Sequence, residues 1–196
     1  RMKKKIDVYE YMGEILKGVK SGVLITGKDE NKTNSMTISW GMAGIEWGKP
    51  VFVTFIRESR FTKTLIDKNG EFTVNIPLDE SAKKILAYCG SKSGRDVDKM
   101  KNLTLPVDQN NIPYMGYQAC AVISGKVLEQ QDLGTHTLFI AEVTDAKLLN
   151  ENAPLTYADY QNRVKPKKKE IPQDKKIVGW RCKICNYVYE GSELPA

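Results

Sequence analysis

Three groups of residues in this chain have the types and spacing to do chemistry. The first is RESRFT, Arg57 to Thr62, where a strand-like run gives way to a helix-like one. A helix N-terminus presents unpaired backbone N–H groups and the positive end of a dipole. Arg57, Arg60 and the hydroxyls of Ser59 and Thr62 add charge and donors around that point, which makes a seat for a phosphate monoester. Ser59 is also placed to cap the helix, with or without a ligand. The second group is Cys182 and Cys185, spaced Cys-x-x-Cys in RCKICNYVYEGSELPA. Such a knuckle supplies two thiolates to a tetrahedral metal and leaves half the coordination sphere to be filled. The third is His136, the single histidine, in GTHT.

The elements that must position these groups follow from pattern. Residues 1–20 read as an amphipathic lead-in, with Ile6, Tyr9, Ile15, Leu16 and Val19 loosely spaced for one helix face. An apolar run from Val23 to Thr26, a polar turn, and an alternating run from Ser35 to Trp40 read as a hairpin. On that strand Thr37 and Ser39 are expected to point to the same side, because the side-chain period is two. PVFVTFI (Pro50 to Ile56) and EFTVNI (Glu71 to Ile76) are β-branched and aromatic strands. Between them SRFTKTLIDKNG predicts a short helix capped by Ser59 and stopped at Gly70. A second short helix is expected at Ser81 to Tyr88, then the loop CGSKSGRDVDKM, then two long strands, Gln118 to Gln130 and His136 to Leu149. Antiparallel strands interrupted by helices predict a closed barrel or α+β domain.

Composition bounds the rest. A chain of 196 residues with 41% hydrophobic content suits one domain plus a small appendage. No run approaches the length of a membrane span, and Cys89, Cys120, Cys182 and Cys185 are too few and too unevenly spaced for a disulfide scaffold. A cytoplasmic protein with no membrane partner is the expectation. The net charge of +6 lies mostly in Arg163 to Lys176, which holds seven basic and two acidic residues. Interleaved with proline, these read as an exposed tether rather than a nucleic-acid-binding face.

The ordered run NSMTISWGMAGIEWGKPVFVTFIRESRFTKTLIDKNGEFTVNIP, then CGSKSGRDVDKM, then GTHTLFIAEV, resembles the flavin reductase-like family of FMN-binding split β-barrels, flavoredoxins included. The tail WRCKICNYVYEGSELP resembles the first knuckle of a rubredoxin-like domain, and the combination is similar to the high-molecular-weight rubredoxin family. The resemblance implies a mainly β, α+β fold: an FMN-binding domain over residues 1–162, a Lys/Pro-rich linker over 163–178, and a rubredoxin-like fragment over 179–196. It implies that Asn34, Met36, Thr37, Ser39 and Trp40 line the flavin ring. Arg57, Ser59, Arg60 and Thr62 take the phosphate, and the loop holding Cys89, Ser91, Lys92 and Ser93 approaches the ribityl chain and phosphate. Gly90 and Gly94 allow that backbone a close approach. His136 matches a Gly-x-His-Thr turn and is expected to position the flavin or the hydride donor. FMN and a rubredoxin-type iron at Cys182 and Cys185 are the implied cofactors. NAD(P)H is the implied donor, a redox protein the acceptor, and a homodimer the implied assembly. The chain has no GxGxxG fingerprint, so a nicotinamide donor is expected to bind transiently over the flavin.

Three completions of the half knuckle stay open. The sequence continues past Ala196 with a second knuckle; or two chains pool Cys182 and Cys185, the fourteen-residue tether reaching roughly 45 Å when extended; or Cys89 and Cys120 are recruited. The implied function is an FMN-dependent oxidoreductase passing electrons from NAD(P)H to a rubredoxin-type iron and onward. Its rivals are a free-flavin or ferric-complex reductase with an incidental tail, a flavin carrier without turnover, and a zinc-ribbon protein that binds nucleic acid.

Overall fold

The β-branched and aromatic runs all form strands. The structure, a computed structural model, describes residues 3–77, 82–116, 119–150, 179–181 and 188–190. In chain order the elements are β1 (Lys4–Lys5), α1 (Val8–Ser21), β2 (Val23–Lys28), β3 (Thr33–Ile38), β4 (Gly41–Glu46), β5 (Lys49–Arg57), α2 (Phe61–Asn69), β6 (Glu71–Pro77), α3 (Lys83–Ser91), β7 (Ala119–Asp132), β8 (His136–Leu148), β9 (Gly179–Arg181) and β10 (Val188–Glu190). Compactness divides the chain into two units, Arg1–Lys165 and Pro166–Ala196.

In the first unit the sheet runs β3-β2-β6-β7-β8-β5-β4 and every pairing is antiparallel. β1 extends it by pairing with the far end of β8, Lys4 opposite Leu148. β3 and β4 follow each other in the chain, yet they are the two ends of this path. The barrel is therefore split along one seam, crossed by Ser39 and Trp40. Register shifts between Ser124 and Gly125 and between Val127 and Glu129 bend the long β7–β8 hairpin, which helps the sheet curl.

Helix α1 starts at Asp7, whose carboxylate accepts the Tyr9 N–H at 2.9 Å, and ends at Gly22. Ile15 and Val19 of the expected apolar face are buried with Ile25, Phe52, Ile56, Phe72 and Phe139, while Tyr9 and Leu16 face outward. Gly18 lets α1 press on β6, since a Cβ there would come within 2.7 Å of Ile76 Cγ2.

Helix α2 stops as expected at Gly70, in the left-handed region at φ 70°. Its N-terminus differs from expectation. Arg60, not Ser59, is the N-cap residue, and no side chain caps the helix. The first-turn N–H groups are thus left without the hydroxyl acceptor the sequence offered. The strand β4 was not expected at all. It reaches β5 through Trp47 and Gly48, both at positive φ (49° and 71°), the signature of a tight hairpin turn.

The second unit is described as one antiparallel ribbon, with Gly179 opposite Glu190 and Arg181 opposite Val188. Cys182 and Cys185, and the tether from Arg163 to Lys176, lie outside the described residues. No helix among the described residues is long and apolar enough to cross a membrane.

Candidate functional site

At the seam, where β5 ends and α2 begins, a cavity of about 200 Å³ opens between Met36, Thr37, Ser39, Trp40, Phe55, Arg57 and Arg60. Its charged wall is built by register. Arg57 closes β5 directly opposite His136, which opens β8. The Arg57 guanidinium stands over the Trp40 ring at 5.4 Å, and the Trp40 and His136 rings lie 4.9 Å apart, tilted by 50°. A cation, an indole and an imidazole therefore form one cluster, of which Arg57 and Trp40 line the cavity and His136 packs against Trp40.

Two features set this cluster apart. Among the described residues, neither Arg57 nor Arg60 has a carboxylate partner, although Glu58 lies between them in sequence. Glu58 is taken up elsewhere: it accepts a hydrogen bond from the Thr137 hydroxyl and pairs with Lys63 at 3.1 Å, and Lys63 reaches Asp67 at 2.7 Å. The Thr137 hydroxyl above all, with Lys63 and the nearby His136, holds the Glu58 carboxyl below its ordinary range against an opposing desolvation. Burial works against the Lys63 charge, but Asp67 and Glu58 outweigh it and raise its proton affinity. The second observation is His136 itself. Its Nδ1 meets the Thr135 hydroxyl at 2.7 Å, whereas Nε2 is buried with no hydrogen-bond partner. A buried polar atom left unpaired costs roughly 1–3 kcal/mol, so Nε2 keeps an unused hydrogen-bonding capacity beside Trp40.

A second cavity, about 380 Å³, lies against β3, the start of α2 and the loop after α3, with Asn34, Phe61, Gly94 and Arg95 in its wall. The Arg95 side chain donates to the Ser59 carbonyl at 2.7 Å and stands 5.6 Å from the Phe61 ring centre. A Cβ on Gly94 would come within 2.5 Å of both Asn34 Oδ1 and Phe61 Cδ1, so glycine is what lets this loop close on β3.

The residues singled out by sequence divide accordingly. Met36, Thr37, Ser39, Trp40, Arg57 and Arg60 share one cavity. Thr37 and Ser39 do not project from one continuous strand, because β3 ends at Ile38, and the Thr37 hydroxyl is occupied by the Leu86 carbonyl at 2.7 Å. Asn34 and Thr62 are both buried and bonded to each other, Nδ2 to Oγ1 at 2.8 Å, tying β3 to α2. Ser59 contributes its carbonyl to Arg95 rather than a cap. The Ser91 hydroxyl donates to the Tyr88 carbonyl at 3.3 Å, Lys92 caps α3 with its backbone, and the Ser93 hydroxyl accepts the Arg95 N–H at 3.1 Å. The Cys89 side chain belongs to a small core with Leu24, Leu86, Met100 and Met115.

Cys89 and Cys120 sit in different cores, Cys120 with Ile15, Phe72 and Ile123. Burial pushes both thiols up, Cys120 to about 12. Metal ligation needs thiolates, so these two are poor recruits for the half knuckle. Among the described residues no cluster of His, Cys, Asp or Glu is arranged to hold a metal ion. Phe55 and Phe61 escaped the sequence reading. The strand-to-helix junction at Arg57 to Thr62 was the signal that pointed to their neighbourhood.

Comparison with known proteins places this geometry among relatives. The sequence pattern of the flavin reductase like domain matches residues 16–165. A high molecular weight rubredoxin from Moorella thermoacetica is 28% identical over 179 residues, 85% of this chain and 77% of that protein. A ferric-chelate reductase (NAD(P)H) from Archaeoglobus fulgidus is 30% identical over 113 residues, 57% of this chain and 67% of that one. Among solved structures, an FMN-binding protein from Thermus thermophilus with bound p-hydroxybenzaldehyde superposes with a TM-score of 0.58 at 25% identity, covering 64% of this chain and 70% of that chain.

Proposed function

The chain belongs to the flavin reductase-like family, and from that premise we propose that it is an FMN-dependent oxidoreductase taking electrons from NAD(P)H. In this reading the electrons pass to a rubredoxin-type iron held in part by Cys182 and Cys185, then to a redox partner protein. Residues 1–162 form the flavin domain, 163–178 the tether and 179–196 the metal-binding fragment. The observation that carries the reading is the pair of guanidinium groups without carboxylate partners beside an uncapped helix N-terminus at one cavity, with His136 packed behind Trp40 of its wall.

These residues fit a phosphorylated planar ring. Arg57, Arg60 and the first-turn N–H groups of α2 are positioned to hold a phosphate. The diversion of Glu58 to Thr137 and Lys63 removes the one carboxylate of RESRFT that would repel it. Met36 to Trp40 supply an apolar and aromatic wall for the ring. The Thr135 hydroxyl occupies Nδ1 of His136, which leaves Nε2 to bond the flavin or the donor. When bound, FMN supplies the ability to accept a hydride and release electrons singly. The chain's part is to orient the ring and to exclude water from its inner face. A tethered acceptor gains effective concentration for the same chemistry. A homodimer is part of the proposal, supported by the outward Met42, Ile45 and Trp47.

Anaerobic visible spectra of the protein loaded with FMN, before and after NADH and NADPH, test the reading. Bleaching of a bound flavin band supports it, and failure to bind FMN removes it. The Archaeoglobus relative favours a second reading, direct reduction of ferric chelates by the larger unit. Deleting residues 163–196 separates the two: chelate reduction that survives unchanged leaves the tail incidental.

A further inference from the structure

Lys99 follows α3 and belongs to none of the groups singled out above. Only 7% of its surface is exposed. Its Nζ donates to three carbonyls: Ser35 at 2.6 Å, Lys92 at 3.0 Å and Cys89 at 3.2 Å. An ammonium has three donors and no acceptor, so its capacity is filled entirely by main chain. The acceptors come from two separate places. Ser35 lies on β3, an edge strand, and an edge strand leaves carbonyls unpaired on its outer side. Cys89 and Lys92 lie in the last turn and at the C-cap of α3, where helix carbonyls lack intrahelical partners and carry the negative end of the dipole. Burial holds the ammonium below the ordinary lysine range, and Arg60 of the cavity wall pushes the same way.

We propose that Lys99 is a positioning residue that sets the distance between β3 and the loop after α3, and so the fit of the site around its ligand. β3 leads into the ring wall, and the loop carries Ser93, Gly94 and Arg95 against the start of α2. One cation ties the two together from behind without touching the ligand. The proposal rests on the FMN reading above.

The test is Lys99→Met, which keeps the stem and removes the donors, with FMN and riboflavin titrated by flavin fluorescence well below the melting temperature. Both dissociation constants are expected to rise by about 10- to 100-fold, the scale of losing hydrogen bonds to a charged group. The visible circular dichroism of the bound flavin should change with them. Lys99→Arg, charged but planar, should recover only part of the loss. An affinity drop for FMN alone would make Lys99 a phosphate charge and overturn the proposal. So would a lower melting temperature with both affinities unchanged. A wild-type protein that binds neither flavin defeats the FMN reading itself, a distinct failure.

If Lys99→Met does not fold, heteronuclear NMR of the wild-type lysine ammonium groups decides. A Lys99 signal protected from exchange and shifted by FMN supports the clamp; one exchanging like surface lysines, or unmoved by FMN, sinks it.

Discussion

The two edges of the split sheet are treated in opposite ways. β3 is fastened: Asn34 bonds Thr62, Thr37 bonds Leu86, and Lys99 bonds Ser35. β4 is bare. Ile45 is 67% exposed and Trp47, at its turn, 91%, with one tie nearby in the Tyr9 hydroxyl donating to the Gly48 carbonyl at 3.3 Å. An edge strand is a template for association unless something blunts it. The difference teaches that the β3 side is fixed by the chain's own polar groups, as the proposed flavin wall requires. The β4 side offers apolar surface that the described residues do not cover.

The largest expected effect falls where the fastened edge meets the charged rim. Arg57→Ala and Arg60→Ala should each weaken FMN binding by about 10- to 100-fold, and riboflavin binding far less, since the lost bonds are to phosphate. Equal losses for both flavins in fluorescence titrations would move the phosphate elsewhere. Next, Gly94→Ala drives a methyl into Asn34 and Phe61 and should cost about 1–3 kcal/mol in denaturant unfolding, the usual scale of overpacking. A neutral result would mean the loop is not held against β3. Thr37→Val removes one fastening and should cost about 0.5–1.5 kcal/mol. Ile45→Lys with Trp47→Ser, on the bare edge, should change stability by less than about 0.5 kcal/mol while shifting sedimentation from dimer to monomer. A fall in stability at unchanged mass would show that Ile45 and Trp47 serve the chain's own packing rather than an association surface.

Cys120 lies in the main core and gives a baseline independent of both edges. The folded thiol keeps its proton up to about 12, whereas the unfolded one loses it near 9.0. Above pH 9 the folded state therefore binds more protons, and this contribution is full below pH 9 and lost as pH rises toward 12. Unfolding midpoints measured from neutral to alkaline pH should fall less steeply in Cys120→Ala than in the wild type.

Much of this was legible in the sequence because it is local. β-branched runs such as PVFVTFI and EFTVNI declare strands, and Gly70 declares a helix end through its backbone freedom. β4 was not legible. GMAGIE has two glycines and no β-branched run, and its turn puts Trp47 at φ 49°, where Asn or Gly would have announced a hairpin. Ser59 has the right type for a cap, but the chain turns into the helix one residue later. Arg57, Arg60 and His136 could be picked out because charges and hydroxyls crowd a short stretch or because a residue is unique. Lys99 and Arg95 could not, since their partners are brought to them only when the loop after α3 folds back on β3. The thiol pair at Cys182 and Cys185 lies outside the described residues.

The seam also works as a gauge. Only Ser39 and Trp40 cross it, so the Cα atoms of Ile38 and Gly41 can never stand more than about 11 Å apart. Near that crossing the slot is leashed by covalent bonds, not by packing that a mutation or a warm solution could loosen. Under the proposed function this limit favours a visitor of small thickness, such as a flat ring on edge, over a folded protein. On that proposal, an acceptor protein would take electrons across the lip of the slot.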